Sequence, residues 1–199
     1  MRLHSASASP SSGPVLAEHR KVGVVGAGAV GTAVCYATLI NGLADEVALF
    51  DIDEPKVRAE ALDLAHGTPF TATRTMTGGA DPAVLAGSSI VVVTAGAKQK
   101  PGQTRLDLAA SNVAILRSLI PQVLEHAPDA LLVLVTNPVD VLPLVTQRIS
   151  GLAPGRVIGS GTLLDTSRLR WRIASEIGVH PRSVHAAVLG EHGLSLIHI

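Results

Sequence analysis

Cysteine is nearly missing from this chain of 199 residues: Cys35 stands alone. One thiol closes no internal disulfide, which excludes a disulfide-stapled secreted scaffold and fits the reducing cytoplasm. Cys35 lies in an apolar helical run and reads as a small core residue. Aromatic residues make up only 2% of the chain. The core must therefore come from Val, Leu, Ile and Ala, which suits a parallel sheet covered on both faces. Net charge is absent too, at +0. That gives no electrostatic pull toward nucleic acid or an anionic membrane, and neither is expected as a partner. No apolar run approaches the roughly 18 residues that span a bilayer. The first residues lack the apolar stretch of a secretory signal, and their Ser, Ala, Pro and Gly predict a disordered tail over 1–19.

What is present is alternation. Lys21–Val25 (KVGVV) reads as a strand ending at a glycine cluster, and Ala29–Leu43 as a helix of small and apolar residues. Glu46–Phe50 is a second strand, Glu54–Ala65 a helix, and Thr71–Thr77 a third strand. Ser89–Thr94 (SIVVVT) and Leu131–Val135 are solid apolar strands, separated by a Gly/Pro/Lys loop and a helix over Arg105–Glu125 whose phase breaks at Pro121. Val139–Ser150 is helical and Val157–Ile158 a short strand. Alternating apolar strands and helices predict βαβ units with right-handed crossovers around a doubly wound parallel sheet, an α/β Rossmann domain over residues 20–160. Ligands of such sheets bind beyond the carboxyl ends of the strands, so the loops after Val25, Phe50, Thr94 and Val135 should share one crevice. Past Gly161 the pattern changes. A helix over Leu164–Ile177, a turn at His180-Pro181 and a strand over Ser183–Leu189 predict the start of an α+β second domain over 161–193.

The glycine cluster is Gly26-Ala27-Gly28-Ala29-Val30-Gly31, a G-x-G-x-x-G that follows a strand and opens a helix. Asp51 ends the next strand about twenty residues on, the spacing of a dinucleotide fingerprint. Gly26 permits the tight turn, Gly28 lets backbone N–H groups approach a pyrophosphate, and Gly31 lets helix and strand pack closely. The helix N-terminus adds a favourable field for phosphate. Asp51 can accept hydrogen bonds from ribose hydroxyls and would repel a 2′-phosphate, which favours NAD over NADP as cofactor.

Four further stretches carry a resemblance. Thr94-Ala95-Gly96-Ala97-Lys98-Gln99-Lys100-Pro101-Gly102-Gln103-Thr104-Arg105 resembles the mobile substrate loop of the lactate/malate dehydrogenase family. Thr136-Asn137-Pro138-Val139-Asp140 is similar to its nicotinamide-side turn, Gly159–Arg168 to its Asp/Arg helix, and Gly190-Glu191-His192-Gly193 to its histidine turn. The resemblance runs from about Lys21 to Gly193. It implies that His192 is the catalytic acid/base, titrating near working pH. Asp165 would hold the imidazole, Arg168 would grip the substrate carboxylate with a two-pronged pair, and Arg105 would polarise the carbonyl. Asn137 would bond near nicotinamide and substrate. The cofactor-binding set it implies is Gly26, Gly28, Val30, Gly31, Asp51, Thr94, Gly96 and Asn137.

Within that family the malate enzymes carry an arginine where Gln99 stands. A neutral Gln offers no counter-charge to a second carboxylate. The resemblance therefore implies pyruvate and L-lactate as substrates, a malate or other 2-hydroxy-acid dehydrogenase being the alternative. Arg170 and His185 fall where bacterial members bind fructose 1,6-bisphosphate; otherwise Arg170 belongs to a solvated face and His185 is a strand residue. The implied full-length form is a cytoplasmic, allosteric homotetramer of fermentative glycolysis. After Gly193 the pattern stops: residues 194–199 are expected to be a non-native tail and the substrate domain incomplete. The chain as written is expected to bind NAD weakly, to leave an exposed apolar patch on its second domain and not to turn over pyruvate. A non-catalytic dinucleotide-binding fragment is the third reading.

Overall fold

The computed structural model describes residues 20–97, 102 and 104–193. The expected N-terminal tail, the expected foreign tail and Gln99 lie outside the described residues, as does the side chain of Arg105.

Six parallel strands form one sheet in the order β3-β2-β1-β4-β5-β6. They are β1 (Lys21–Val25), β2 (Glu46–Phe50), β3 (Thr75–Gly79), β4 (Ile90–Val93), β5 (Leu131–Leu134) and β6 (Val157–Gly159). The order reverses between β1 and β4, whose registers align Val25 with Val93, while Val25 also pairs with Phe50. This reversal is the switch point at which doubly wound sheets open a crevice. The expected Rossmann architecture is therefore present.

The two faces of the sheet explain why its central strands are mostly apolar. Val24, Val47 and Leu49 point to one face and pack with Cys35 and Leu39 of α1 (Ala29–Ile40) and Val57, Ala61 and Leu64 of α2 (Glu54–Ala65). Val25, Val91, Val93, Leu132 and Leu134 point to the other, against Leu116, Ile120 and Val123 of α3 (Arg105–His126) and Leu142 of α4 (Leu142–Ser150). Alternate residues of these central strands thus meet different helix layers, which favours apolar side chains in both sets. Cys35 is fully buried in the first cluster, and burial pushes its thiol up to about 12. Native protein is therefore expected to resist a thiol-labelling reagent until it unfolds. Labelling that is complete within the mixing time at neutral pH would contradict the placement.

Local chemistry sets the helix ends. Asp53 caps α2 by accepting from the Lys56 N–H. Thr104 and Asp107 form a reciprocal capping box at the start of α3, and these bonds hold the Asp107 carboxyl below its ordinary range. Pro121 does not break α3, which runs unbroken to His126. Pro121 is exposed, so its ring and missing N–H fall on the solvent side, where the lost bond is most easily tolerated.

The second unit begins with α5 (Leu163–Ile177), which leaves Leu163, Leu164, Trp171 and Ile177 exposed. The strand expected over Ser183–Leu189 does not form. Pro181–Ser183 is a turn of 3₁₀ helix, and no ladder follows it among the described residues. Instead the polar groups of Val188 are taken by side chains: Thr162 Oγ1 donates to its carbonyl at 2.6 Å, and its N–H donates to Thr166 Oγ1 at 3.0 Å. A segment with strand composition makes a strand only beside a partner edge, and α5 offers threonine hydroxyls instead.

Candidate active site

At the carboxyl end of β1, Gly26 turns the chain with φ 106°, a conformation that favours glycine. Its N–H donates to the Phe50 carbonyl at 2.7 Å. Asp51 closes the turn from the other side. Its Oδ2 accepts the Ala27 N–H at 2.6 Å and its Oδ1 the Asp53 N–H at 3.0 Å. The aspartate read as a ribose acceptor thus also fastens the glycine turn to the end of β2, a role that spacing alone did not reveal.

Gly31 and Gly28 differ in kind. A Cβ on Gly31 would run into the Gly26 carbonyl oxygen and lie 2.8 Å from Thr94 Oγ1, so this glycine sets how closely α1 approaches the sheet. A Cβ on Gly28 would meet no heavy atom within 4 Å. Gly28 is also the N-cap of α1 and supplies no side-chain cap, which leaves the first amides of the helix free for an anion. An open, uncapped helix start above a tight glycine turn fits a dinucleotide pyrophosphate. Val30 is exposed on the first turn of α1. Thr94, in contrast, is engaged internally, donating to the Val25 carbonyl at 2.9 Å.

The loops after β4 and β5 meet across the crevice. Thr136 Oγ1 donates to the Ala95 carbonyl at 2.8 Å. A Cβ on Gly96 would strike the Thr136 methyl and approach Asn112 Oδ1 to 3.1 Å, so only glycine lets these loops touch. Asn137 follows on the β5 side, its peptide to Pro138 cis. Asn112 of α3 passed unnoticed in the sequence, where it resembles any polar residue on a helix. It is 1% exposed, and its amide is hydrogen-bonded on both sides of this junction.

The second cluster is formed by Asp165, Arg168 and His192. His192 Nδ1 lies 2.6 Å from Asp165 Oδ2, and Arg168 Nη1 donates to Asp165 Oδ1 at 3.4 Å. The Asp165 side chain is 1% exposed, whereas that of Arg168 is 47% exposed. An ionised carboxylate only accepts, so Nδ1 of His192 carries the proton and Nε2 remains to exchange one. Arg168 shares that carboxylate yet keeps most of its donors available to an anion. The histidine is joined to the loop after β5 by another residue the sequence reading left without a role: Asp140 Oδ2 accepts the His192 backbone N–H at 2.9 Å.

The two residues considered for an effector are not brought together by any hydrogen bond or ion pair between them among the described residues. Arg170 donates to the Pro181 carbonyl at 3.4 Å, and His185 is exposed. No group of acidic, His or Cys side chains suited to a metal ion occurs among the described residues. No described helix is long and apolar enough to cross a membrane.

Comparison with known proteins agrees with this geometry. The family profile of the lactate/malate dehydrogenase NAD binding domain matches residues 20–159, and that of the family's alpha/beta C-terminal domain matches residues 162–198. The chain is 50% identical over 173 residues to an L-lactate dehydrogenase of Synechococcus sp. (strain JA-3-3Ab), covering 87% of this chain and 56% of that protein. It is 49% identical over 179 residues to the mouse L-lactate dehydrogenase C chain, covering 90% of this chain and 54% of that one. A crystal structure of the minor L-lactate dehydrogenase from Enterococcus mundtii, in a ligand-bound form, superposes with a TM-score of 0.83 at 43% identity, over 89% of this chain and 56% of that chain. The chain spans about half the length of these relatives. With a profile covering most of its residues, the chain belongs to the lactate/malate dehydrogenase family of oxidoreductases and carries that family's NAD-binding domain and the beginning of its C-terminal domain.

Proposed function

We propose that the full-length form of this protein is an NAD-dependent L-lactate dehydrogenase, interconverting pyruvate, NADH and a proton with L-lactate and NAD. The observation that carries the reading is the buried Asp165 carboxylate, which holds His192 Nδ1 on one oxygen and Arg168 on the other. The bound nicotinamide supplies the hydride or takes it up. Gly26, Gly28, Val30, Gly31 and Asp51 hold the dinucleotide, with Thr94 beside the glycine turn and Gly96 and Asn137 at the other end.

His192 gives the carbonyl oxygen its proton during reduction and recovers it during oxidation. Asp165 orients the ring through the bond at Nδ1. Arg168 binds the substrate carboxylate by a two-pronged charge-assisted contact. Arg105 stabilises negative charge developing on the carbonyl oxygen, and Asn137 donates to the same region. The malate dehydrogenase alternative is disfavoured by Gln99, which offers no cation to a second carboxylate. Because the relatives are nearly twice as long, turnover is assigned to a form carrying the remaining length. That form is assigned to the cytoplasm, which suits a chain with a single cysteine, and to a homo-oligomer, as the family resemblance implies. Arg170 and His185 are proposed as part of a fructose 1,6-bisphosphate site, since a bisphosphate suits Arg and protonatable His.

The direct test is pyruvate-dependent NADH oxidation by the full-length form. Gln99→Arg in that form is expected to raise kcat/KM for oxaloacetate relative to pyruvate by at least about tenfold, the scale of one added charge-assisted bond. An unchanged ratio would remove the lactate assignment. A pyruvate KM indifferent to the bisphosphate at several pH values would remove the effector site.

A further inference from the structure

Two loops of the crevice, the one after β4 and the one after β5, come from strands that are neighbours in the sheet but separated in the chain by the whole of α3. Asn112 of that helix closes the gap between them. Its Oδ1 accepts the Ala97 N–H at 2.7 Å, and its Nδ2 donates to the Asn137 carbonyl at 2.7 Å. The residue is 1% exposed, so water cannot replace either bond without opening the junction. A carboxamide is the fitting group, because the site asks for an acceptor on one side and a donor on the other. A carboxylate would fail on the Asn137 side and an apolar side chain on both. The contact acts on the backbone of Asn137 and leaves that residue's own side chain uncommitted to Asn112. Asn112 also lies on the first half of α3, two turns after Arg105.

We infer that Asn112 is a positioning residue: through its amide it sets the orientation of Asn137 and of the Gly96-Ala97 backbone, and so defines the nicotinamide half of the cofactor site without itself touching the cofactor. The inference rests on the NAD-site reading above. Its consequence is a division of labour. The adenosine half depends on Gly26, Gly28, Gly31 and Asp51, which have no hydrogen bond to Asn112. The nicotinamide half depends on the two loops that Asn112 joins.

ADP-ribose and NADH separate the two halves, and calorimetric titration of each into the full-length form needs no turnover. Asn112→Leu keeps the size and removes both bonds, while Asn112→Ser removes both with less steric demand. Both variants are expected to bind NADH about tenfold more weakly, the effect of losing one to two buried hydrogen bonds. Both are expected to bind ADP-ribose within about twofold of the unsubstituted protein. NADH binding unchanged in either variant that still binds ADP-ribose would overturn the inference. Parallel loss of both ligands in both variants would also overturn it, since Asn112 would then serve general packing. If the unsubstituted protein bound ADP-ribose but gained nothing from the nicotinamide half, the inference would fail. If it bound neither, the cofactor reading itself would fall and the inference with it.

Discussion

His192→Gln in the full-length form is expected to lower kcat/KM for pyruvate by about two to four orders of magnitude, the range a positioned general acid contributes. Glutamine can still hydrogen-bond to a ketone but cannot deliver a proton at neutral pH. The fold has little reason to suffer. The bond that anchors this segment to Asp140 comes from the His192 backbone N–H, which the substitution keeps. Asp165→Asn tests the same pair from the other side. The His192 ring and the Arg168 guanidinium share the Asp165 carboxylate, so a neutral amide leaves both with a weaker partner. Its effect is expected to appear in both kcat and KM, because Asp165 orients the acid and steadies the carboxylate-binding arginine together. NADH affinity in both variants is expected to stay near that of the unsubstituted protein, since neither side chain contacts the glycine turn. Steady-state kinetics with pyruvate and a separate NADH titration decide the matter. A His192→Gln variant retaining more than about a tenth of the activity would exclude His192 as the acid.

Gly31→Ala and Gly28→Ala are expected to fail in different ways although they lie in one hexapeptide. The added methyl at Gly31 collides with the Gly26 carbonyl oxygen, so α1 must move off the sheet or the Gly26 turn must open. Overpacking of this kind costs about 1–3 kcal/mol, which in a chain of this size lowers Tm by several degrees. NADH affinity is expected to fall by about a hundredfold as the turn shifts. At Gly28 the methyl enters open space and the backbone, with φ −81°, is one that alanine adopts. Stability is therefore expected to be unchanged, while the methyl occupies the approach a pyrophosphate would use and affinity falls by a similar factor. Thermal melts paired with NADH titrations separate the two cases. A Gly28→Ala protein that binds NADH as tightly as the parent would show that the pyrophosphate lies elsewhere.

Much of this molecule was legible because its determinants are local. Strands such as Ile90–Val93 and Leu131–Leu134 are short apolar runs at the centre of a parallel sheet, and burial on both faces leaves no other pattern open to them. Gly26, Gly28, Gly31 and Asp51 could be read from spacing, because a strand, a turn and a helix start impose that spacing within one chain segment. Asp165 and Arg168 are three residues apart on one helix, close enough for sequence to place them together.

Pairings over distance were another matter. Asn112 meets Ala97 and Asn137 across 15 and 25 residues, and Asp140 meets His192 across 52. Nothing in the local pattern of α3 separates Asn112 from a solvated polar residue; burial at the junction of two loops does. The stretch 183–189 shows the converse. Its composition suits a strand, but strand formation needs a neighbouring edge, and the α5 threonines captured Val188 instead. By itself the sequence determined the sheet and the dinucleotide turn, since these follow from periodicity and short-range geometry; the residues proposed to carry the chemistry came from the family resemblance. The tertiary structure alone decided which side chains hold the backbones of His192 and Asn137 in place, because hydrogen-bond partners distant in the chain are chosen by packing.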